Sequence, residues 1–239
     1  MKSKAAIQTV LDKDLIIDEL DIPNPLPHQV IVKLYSSGIC HSQLHQMEDP
    51  ELDRPFVPGH EATGVVTHIG RDVRHVKEND HAIITWVPRI PIKGREPNIP
   101  SGVTYRKKII NEVKIHTWAQ DVLVDSKYVI PITKEHPTDV SSIVGCAVLT
   151  GAGAVLNTAR VRPGNSVAII GVGGVGLSAV QMASILEANP IIVVDLLDEK
   201  LEFAKEFGAT HLVNASVTDP VKAIVEISGG GVDYAFDAI

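Results

Sequence analysis

The chain has 239 residues and a formal net charge of −7; 44% of its residues are hydrophobic and 21% are charged. A chain of this length can form one or two domains with a substantial buried core. Its composition is ordinary for a soluble globular protein, and its negative charge argues against a nucleic-acid backbone as a partner. The two cysteines lie far apart and the first residues contain no secretory apolar segment, so we expect a cytoplasmic protein without a disulfide.

Residues 1–145 hold most of the prolines and are predicted to be β-rich and irregular. Runs of β-branched and apolar residues predict strands at residues 29–35, 63–69 and 82–87, and another pair of strands within residues 122–132. Residues 86–103 contain four prolines and two glycines and are predicted to form a loop. We therefore expect a first domain made mainly of strands.

Helical and strand patterns alternate in the second part of the chain. Helices are predicted at residues 144–160, 177–186, 199–208 and 220–228, and strands at residues 167–170, 190–195, 211–213 and 232–239. Alternation of this kind is typical of a parallel sheet with helices packed on it. We therefore expect a second domain, at residues 146–239, with a doubly wound α/β fold.

A glycine-rich turn stands between the first strand and the first long helix of this second domain. Gly171 allows a tight turn, Gly173 lets the backbone approach a pyrophosphate, and Gly176 lets helix and strand pack closely. The helix start offers free N–H groups and a positive dipole end to phosphates. Asp195 follows Gly176 by 19 positions, close to the spacing at which a carboxylate binds the adenosine ribose, and no arginine follows it for a 2′-phosphate. The sequence therefore predicts a NAD site.

The uncharged stretch at residues 167–186 is 20 residues long, so a membrane span is the alternative interpretation. Its four glycines, its three polar side chains and the strand pattern that follows argue against a span.

A sheet of four parallel strands would leave its last strand, at residues 232–239, as an apolar open edge. A complete dinucleotide fold has six strands in the order 3-2-1-4-5-6. We therefore hypothesise that this is the N-terminal part of a longer polypeptide; an intact mass matching 239 residues would refute the hypothesis.

Three segments carry candidate metal ligands: Cys40, the pair His60 and Glu61, and Cys146. Catalytic zinc takes three protein ligands and an open fourth position, and two cysteines with one histidine suit a Lewis acid that binds an alcohol oxygen. The separations of 20 and 86 residues carry no signal by themselves. Taken singly, each of these residues is better explained as a core or hydrogen-bonding side chain than as a metal ligand.

The motifs around these residues resemble those of one family. The GHExxG motif at residues 59–64 resembles the zinc signature of the medium-chain alcohol dehydrogenases. The CHSxxH motif at residues 40–45, and the GC pair at residues 145–146 with TG at residues 150–151, also resemble that family's motifs in order and spacing. The resemblance covers the whole chain, through to VDYAFD at residues 232–237.

This resemblance implies a GroES-like catalytic domain at residues 1–145, followed by a Rossmann nucleotide domain at residues 146–239 that stops after its fourth strand. One zinc ion would lie at the cleft between the domains. Its ligands would be Cys40, His60 and Cys146, with Glu61 behind the metal as an alternative ligand.

The resemblance also implies catalytic and binding roles. Ser42 would take the proton of the alcohol and pass it through the cofactor ribose to His45, and Trp86 would line the substrate pocket. An imidazole suits proton release at neutral pH. The implied cofactor-binding residues are His41, Thr150, Gly171, Gly173, Gly174, Val175, Gly176, Asp195 and Lys200.

Two departures from the family pattern affect the metal. Residues 81–145 contain no cysteine, so we expect one catalytic zinc and no structural zinc. Gln43 stands where the family commonly has an aspartate beside the ligand histidine, so this contact must be neutral and could weaken metal affinity.

The sequence thus predicts a zinc-dependent, NAD-linked alcohol dehydrogenase that interconverts an alcohol and an aldehyde or ketone. The expected partner is a small-molecule alcohol rather than a nucleic acid or a membrane, and the full-length protein is expected to be a homo-oligomer. A polyol dehydrogenase is the nearest alternative, although polyol relatives tend to have glutamate in place of Cys146. A noncatalytic nucleotide-binding protein that kept the fold is the alternative from another class.

Overall fold

The computed structural model describes residues 1–11, 13–90, 101–110 and 115–239. The chain forms two compact units, Met1–Cys146 and Ala147–Ile239. Most of the loop predicted at residues 86–103 lies outside the described residues.

The first unit is built from antiparallel strands. Its described part contains β1 (Lys2–Ile7), β2 (Ile16–Asp21), β3 (Gln29–Ser37), β4 (Ala62–Ile69), β5 (His81–Ile84), β6 (Thr104–Tyr105), β7 (Lys108–Ile109), β8 (Asp121–Asp125) and β9 (Val129–Ile132), with helices α1 (His41–Glu48) and α2 (Thr138–Ser141). A five-stranded sheet has the order β8-β3-β4-β5-β9, and a four-stranded sheet has the order β1-β2-β6-β7.

The inner strand β3 is buried on both of its faces over its first four residues, which explains the apolar run at residues 30–32. Successive side chains of a strand point to opposite faces. Val30 and Val32 therefore pack into one core cluster together with Val122 of β8. Ile31 points to the other face and packs with Leu123 in a second cluster, which includes residues of β1 and β2.

The strand predictions for the first unit hold in part. The predicted strand at residues 82–87 is wrong at its end, because β5 stops at Ile84 and the Thr85 hydroxyl accepts a hydrogen bond from the Val87 N–H at 3.2 Å. The predicted pair at residues 122–132 does consist of two strands, but β8 pairs with β3 and β9 pairs with β5. A single 3₁₀ turn, Ser126–Tyr128, joins the two edges of the sheet. The β1–β2 hairpin was not predicted.

The hairpin turn between β6 and β7 has an unfavourable sequence for its conformation. Arg106 and Lys107 have φ values of 48° and 68°, and two-residue turns of this kind favour Asn-Gly. A left-handed backbone conformation costs a non-glycine residue about 1–2 kcal/mol, and glycine would remove this cost. The net gain is smaller, because glycine also has a greater conformational entropy in the unfolded state. We therefore expect Lys107→Gly to raise the free energy of unfolding by about 0.5–1 kcal/mol, measured by urea denaturation.

The matched control for this prediction is Lys108→Gly. Lys108 begins β7 and has no positive φ, so glycine there should destabilise the protein. Equal shifts of the urea midpoint in the two variants would contradict the assignment of strain to the turn.

The second unit is a four-stranded parallel sheet, as predicted. Its strands are β10 (Val167–Ile170), β11 (Ile191–Asp195), β12 (His211–Asn214) and β13 (Tyr234–Asp237), in the order β12-β11-β10-β13. Its helices include α3 (Leu149–Gly153), α4 (Gly174–Ile185), α5 (Asp198–Ala204) and α6 (Pro220–Ser228). The helix predicted at residues 144–160 consists of α3 between two π-helical segments, Val144–Val148 and Ala154–Ala159. The last strand is shorter than its prediction.

Helices cover both faces of this sheet. Val193 and other residues of one face share a core cluster with Val180 of α4. Ile192 and Val194 point to the opposite face and pack with Ile224 of α6. In the described ranges of the chain, no helix is both long enough and apolar enough to cross a bilayer.

Candidate functional site

Cys40, His60 and Cys146 come together in the first unit, and we call them the ligand group. One ligand atom of each residue lies within 4.8 Å of the other two, and no disulfide joins the two cysteines. Among the histidine, cysteine, aspartate and glutamate side chains of the described residues, these three lie close enough together to hold a metal ion. Two zinc–sulfur bonds of about 2.3 Å span at most about 4.6 Å, so the ligand atoms need only a small shift to share one ion.

Cys40 and His60 are held together through the backbone next to His60. Cys40 caps the start of α1 just after β3, and His60 lies just before β4. The Glu61 carbonyl accepts hydrogen bonds from the Gly38 N–H at 3.1 Å and the Ser37 hydroxyl at 3.0 Å. The end of β3 is thereby fixed to the start of β4.

Cys146 is held by a different anchor. The hydroxyl of Thr85, the residue after β5, donates to the Gly145 carbonyl at 2.7 Å. Cys146 itself lies in the π-helical segment Val144–Val148, a type of helix distortion frequent at functional sites. Sequence reasoning missed the anchoring hydroxyl of Thr85, because its partner lies 60 residues away and no local pattern indicates it.

Glu61 follows His60 in the chain, is buried, and is not a member of the ligand group. Its side chain is 2% exposed. A Cβ atom on Gly38 would lie 2.4 Å from Glu61 Oε1, and one on Gly145 would lie 3.1 Å from Glu61 Cβ. Glu61 thus fills the space between the segments that carry the two cysteines, and its carboxylate is not part of the ligand group.

His60 offers one ring nitrogen to a metal. Burial lowers its pKa, so the ring is neutral at neutral pH. Its Nδ1 lies 2.7 Å from Gln43 Nε2, whereas its Nε2 is buried with no hydrogen-bond partner among the described residues. Buried polar atoms normally have a partner. Two thiols and an imidazole with an unsatisfied buried nitrogen therefore fit zinc.

The other predicted residues of the first unit lie on α1 and beyond β5. Ser42 is half-buried and lies three positions before the exposed His45, so the two are neighbours on one helix face. The rings of His41 and His45 are 5.0 Å apart. Trp86 lies two residues beyond β5 and is 46% exposed, and it is not among the residues of the ligand group.

The glycine turn of the second unit has the shape of a phosphate cradle. Gly171 has a φ of 86°, and a Cβ on Gly176 would lie 1.9 Å from the Gly171 carbonyl oxygen. A Cβ on Gly173 would meet no heavy atom within 4 Å, so there is open space next to the turn. α4 begins at Gly174, and the free N–H groups at a helix start can bind an anion.

Asp195, at the end of β11, accepts a hydrogen bond from the glycine turn. Its Oδ2 accepts from the Val172 N–H at 3.0 Å, and its Oδ1 accepts from the Leu196 and Leu197 N–H groups at 2.8 and 3.2 Å. Burial raises the pKa of Asp195, but these hydrogen bonds and the charge of Lys200 outweigh it, so the net pKa is lowered. The carboxylate is therefore ionised at neutral pH.

α3 approaches the same turn closely. A Cβ on Gly151 would lie 2.1 Å from the Val175 carbonyl oxygen. Thr150, which precedes Gly151, is exposed, and Val175 is half-buried. Gly174 is exposed beside them. The Gly151 backbone thus packs against the first turn of α4, which contains Gly174 and Val175.

Comparisons with known proteins cover both units. Residues 26–134 match the family model of the alcohol dehydrogenase GroES-like domain, and residues 174–239 match that of the zinc-binding dehydrogenase. The S-(hydroxymethyl)glutathione dehydrogenase of Synechocystis sp. is 34% identical over 264 residues, which cover 100% of this chain and 72% of that protein.

Solved structures share the same fold. An alcohol dehydrogenase zinc-binding domain protein from Burkholderia ambifaria has a TM-score of 0.92 at 31% identity, over 100% of this chain and 70% of that one. Benzyl alcohol dehydrogenase from Acinetobacter calcoaceticus has a TM-score of 0.89 at 28% identity, with the same coverage of 100% and 70%. The two matched domain models, the identity along the chain and the shared fold show that this chain belongs to the zinc-dependent medium-chain alcohol dehydrogenases, a family of oxidoreductases that act on CH–OH groups.

Proposed function

We propose that the protein is a zinc-dependent, NAD-linked dehydrogenase that interconverts an alcohol and the corresponding aldehyde or ketone. The observation that carries this proposal is the ligand group, in which two thiols and an imidazole lie within 4.8 Å of one another. This set of ligands leaves a fourth position of a tetrahedral ion open for an alcohol oxygen. The presence of Cys146 favours an alcohol dehydrogenase over a polyol dehydrogenase.

Cys40, His60 and Cys146 would hold the zinc ion, with Glu61 behind it. When bound, zinc supplies a Lewis acid that acidifies an alcohol oxygen, as it lowers the pKa of water from 15.7 to about 7. The Ser42 hydroxyl would take the alcohol proton and give up its own through the cofactor ribose to the exposed His45, which would release a proton to solvent. Trp86 is the proposed wall of the substrate pocket.

The cofactor site is proposed at the glycine turn. The backbone of Gly171, Gly173, Gly174 and Gly176 would cradle the pyrophosphate, with His41 near it, and Val175 and Thr150 would contact the nicotinamide. The ionised Asp195 would accept from the ribose hydroxyls with Lys200 beside it, and it would repel a 2′-phosphate, which favours NAD over NADP.

We further propose that residues 1–145 form the catalytic domain and residues 146–239 the nucleotide domain of a cytoplasmic homo-oligomer. The two cysteines form no disulfide with each other, which supports a reducing compartment. The mass of the native protein by sedimentation tests the oligomeric state.

Metal analysis combined with an alcohol panel tests the function. The panel should contain linear, branched and aromatic alcohols, vicinal diols and S-(hydroxymethyl)glutathione, with NADH formation as the readout. One zinc ion per chain with NADH formation is the expected result. A preference for vicinal diols would indicate a polyol dehydrogenase, and NAD binding without metal or turnover would indicate a noncatalytic protein.

Ser42→Ala should lower turnover by about 10²- to 10⁴-fold, because the alcohol proton would lose its acceptor. Zinc content should not change, since the ligand group does not include Ser42. Steady-state rates and metal analysis of the purified variant measure both effects. Leu44→Ala, an exposed position on the same helix, is the matched control and should keep near-normal turnover. Near-normal turnover of Ser42→Ala would remove this hydroxyl from the proton path.

A further inference from the structure

Gln43 is a buried side chain that contacts two of the three residues of the ligand group. It is the third residue of α1 and is 1% exposed. Its Oε1 accepts a hydrogen bond from the backbone N–H of Cys40 at 2.6 Å, and its Nε2 lies 2.7 Å from His60 Nδ1. One amide therefore joins the helix start that carries Cys40 to the ring of His60.

The orientation of the Gln43 amide follows from the backbone atom that it meets. A backbone N–H can only donate, so the amide atom 2.6 Å from Cys40 N must be the carbonyl oxygen. Turning the amide over would place the Gln43 NH₂ group against the Cys40 N–H, and both of these groups are donors. The NH₂ group of Gln43 therefore faces His60.

This orientation determines which nitrogen of His60 carries the proton. An amide NH₂ group only donates, so His60 Nδ1 is the acceptor of the 2.7 Å hydrogen bond. A neutral imidazole has one acceptor nitrogen and one N–H, which places the proton on Nε2. A metal needs a lone pair on Nε2, because Nδ1 is occupied by Gln43. The hydrogen bond from Gln43 therefore opposes metal ligation by His60.

We propose that Gln43 is a positioning residue that lowers the zinc affinity of the ligand group by holding His60 in the tautomer that cannot ligate through Nε2. This inference rests on the proposed function, which assigns the metal. Zinc binding then requires the ring proton to exchange from Nε2 to Nδ1 and the Gln43 amide to turn over so that its oxygen accepts from Nδ1–H, which breaks its hydrogen bond to Cys40. A carboxylate at this position would accept from the Cys40 N–H and from a His60 Nδ1–H together, which leaves Nε2 free for zinc.

The substitution Gln43→Glu tests this proposal because it changes the amide NH₂ to an oxygen with almost no change of shape. Metal-free Gln43→Glu should bind zinc about 10- to 100-fold more tightly than the wild type, measured by competition with a chromophoric chelator. Gln46→Glu, one turn further along α1, is the control for added charge and should change the affinity by no more than about twofold.

A second measurement reads the tautomer directly. Imidazole ¹⁵N shifts of the metal-free proteins should show Nε2–H for His60 in the wild type and Nδ1–H in Gln43→Glu. Equal zinc affinities of these two proteins, or an Nδ1–H ring in the metal-free wild type, would overturn the role of Gln43. Failure of all the proteins to bind zinc would instead refute the metal assignment itself, and with it this proposal.

Discussion

Replacing Cys146 by alanine is expected to abolish zinc binding and to lower the turnover of alcohol by about 10³-fold or more. The substitution removes one thiolate from a group of three ligands, and Cys40 and His60 alone cannot complete a catalytic zinc site. Zinc content by mass spectrometry of the purified protein and steady-state rates of NADH formation measure the two effects. The fold should persist, because alanine deletes a single buried sulfur atom from the segment Val144–Val148.

The control for this prediction is Val148→Ala, which truncates a side chain of the same segment outside the ligand group. It should keep full zinc occupancy. NAD binding by Cys146→Ala should also be retained, since the glycine turn and Asp195 belong to the other compact unit. Full zinc occupancy in Cys146→Ala would remove this cysteine from the proposed metal site.

The second unit was predictable because its local signals agree with its tertiary structure. The helix α6 has the predicted bounds: Pro220 stands at its start after the cap Asp219, and Gly229 ends it in a left-handed conformation. Local chemistry of this kind sets a helix end whatever packs on it. The buried strands β10 and β11 read as continuous apolar runs, as strands covered on both faces do.

The first unit was harder to predict because its strands depend on distant partners. β1 buries Ser3, whose hydroxyl bonds the Asp121 carboxylate 118 residues away at 2.9 Å. A polar residue at a buried position breaks the alternation that a strand prediction needs. The candidate ligands were named from their motifs, but the contacts that hold them, such as Thr85 with Gly145, leave no trace in the local sequence.

Gly176→Ala is expected to destabilise the second unit by about 3 kcal/mol or more and to abolish NAD binding. The added Cβ would lie 1.9 Å from the Gly171 carbonyl oxygen and 3.5 Å from Ile169 Cγ2. The first of these atoms belongs to the backbone of the glycine turn, so relief of the clash must move the turn itself. Thermal unfolding and NAD titration by fluorescence measure the two losses.

Gly173→Ala separates stability from cofactor binding at the same turn. Gly173 has an ordinary φ of −76°, and an added Cβ would meet no protein atom within 4 Å. The melting temperature should therefore stay near that of the wild type, whereas the methyl group would enter the space proposed for the pyrophosphate. Loss of one charge-assisted hydrogen bond from the backbone would weaken NAD binding by about 10- to 100-fold. Unchanged NAD affinity in Gly173→Ala would show that the pyrophosphate does not lie against this turn, whatever the stability of Gly176→Ala.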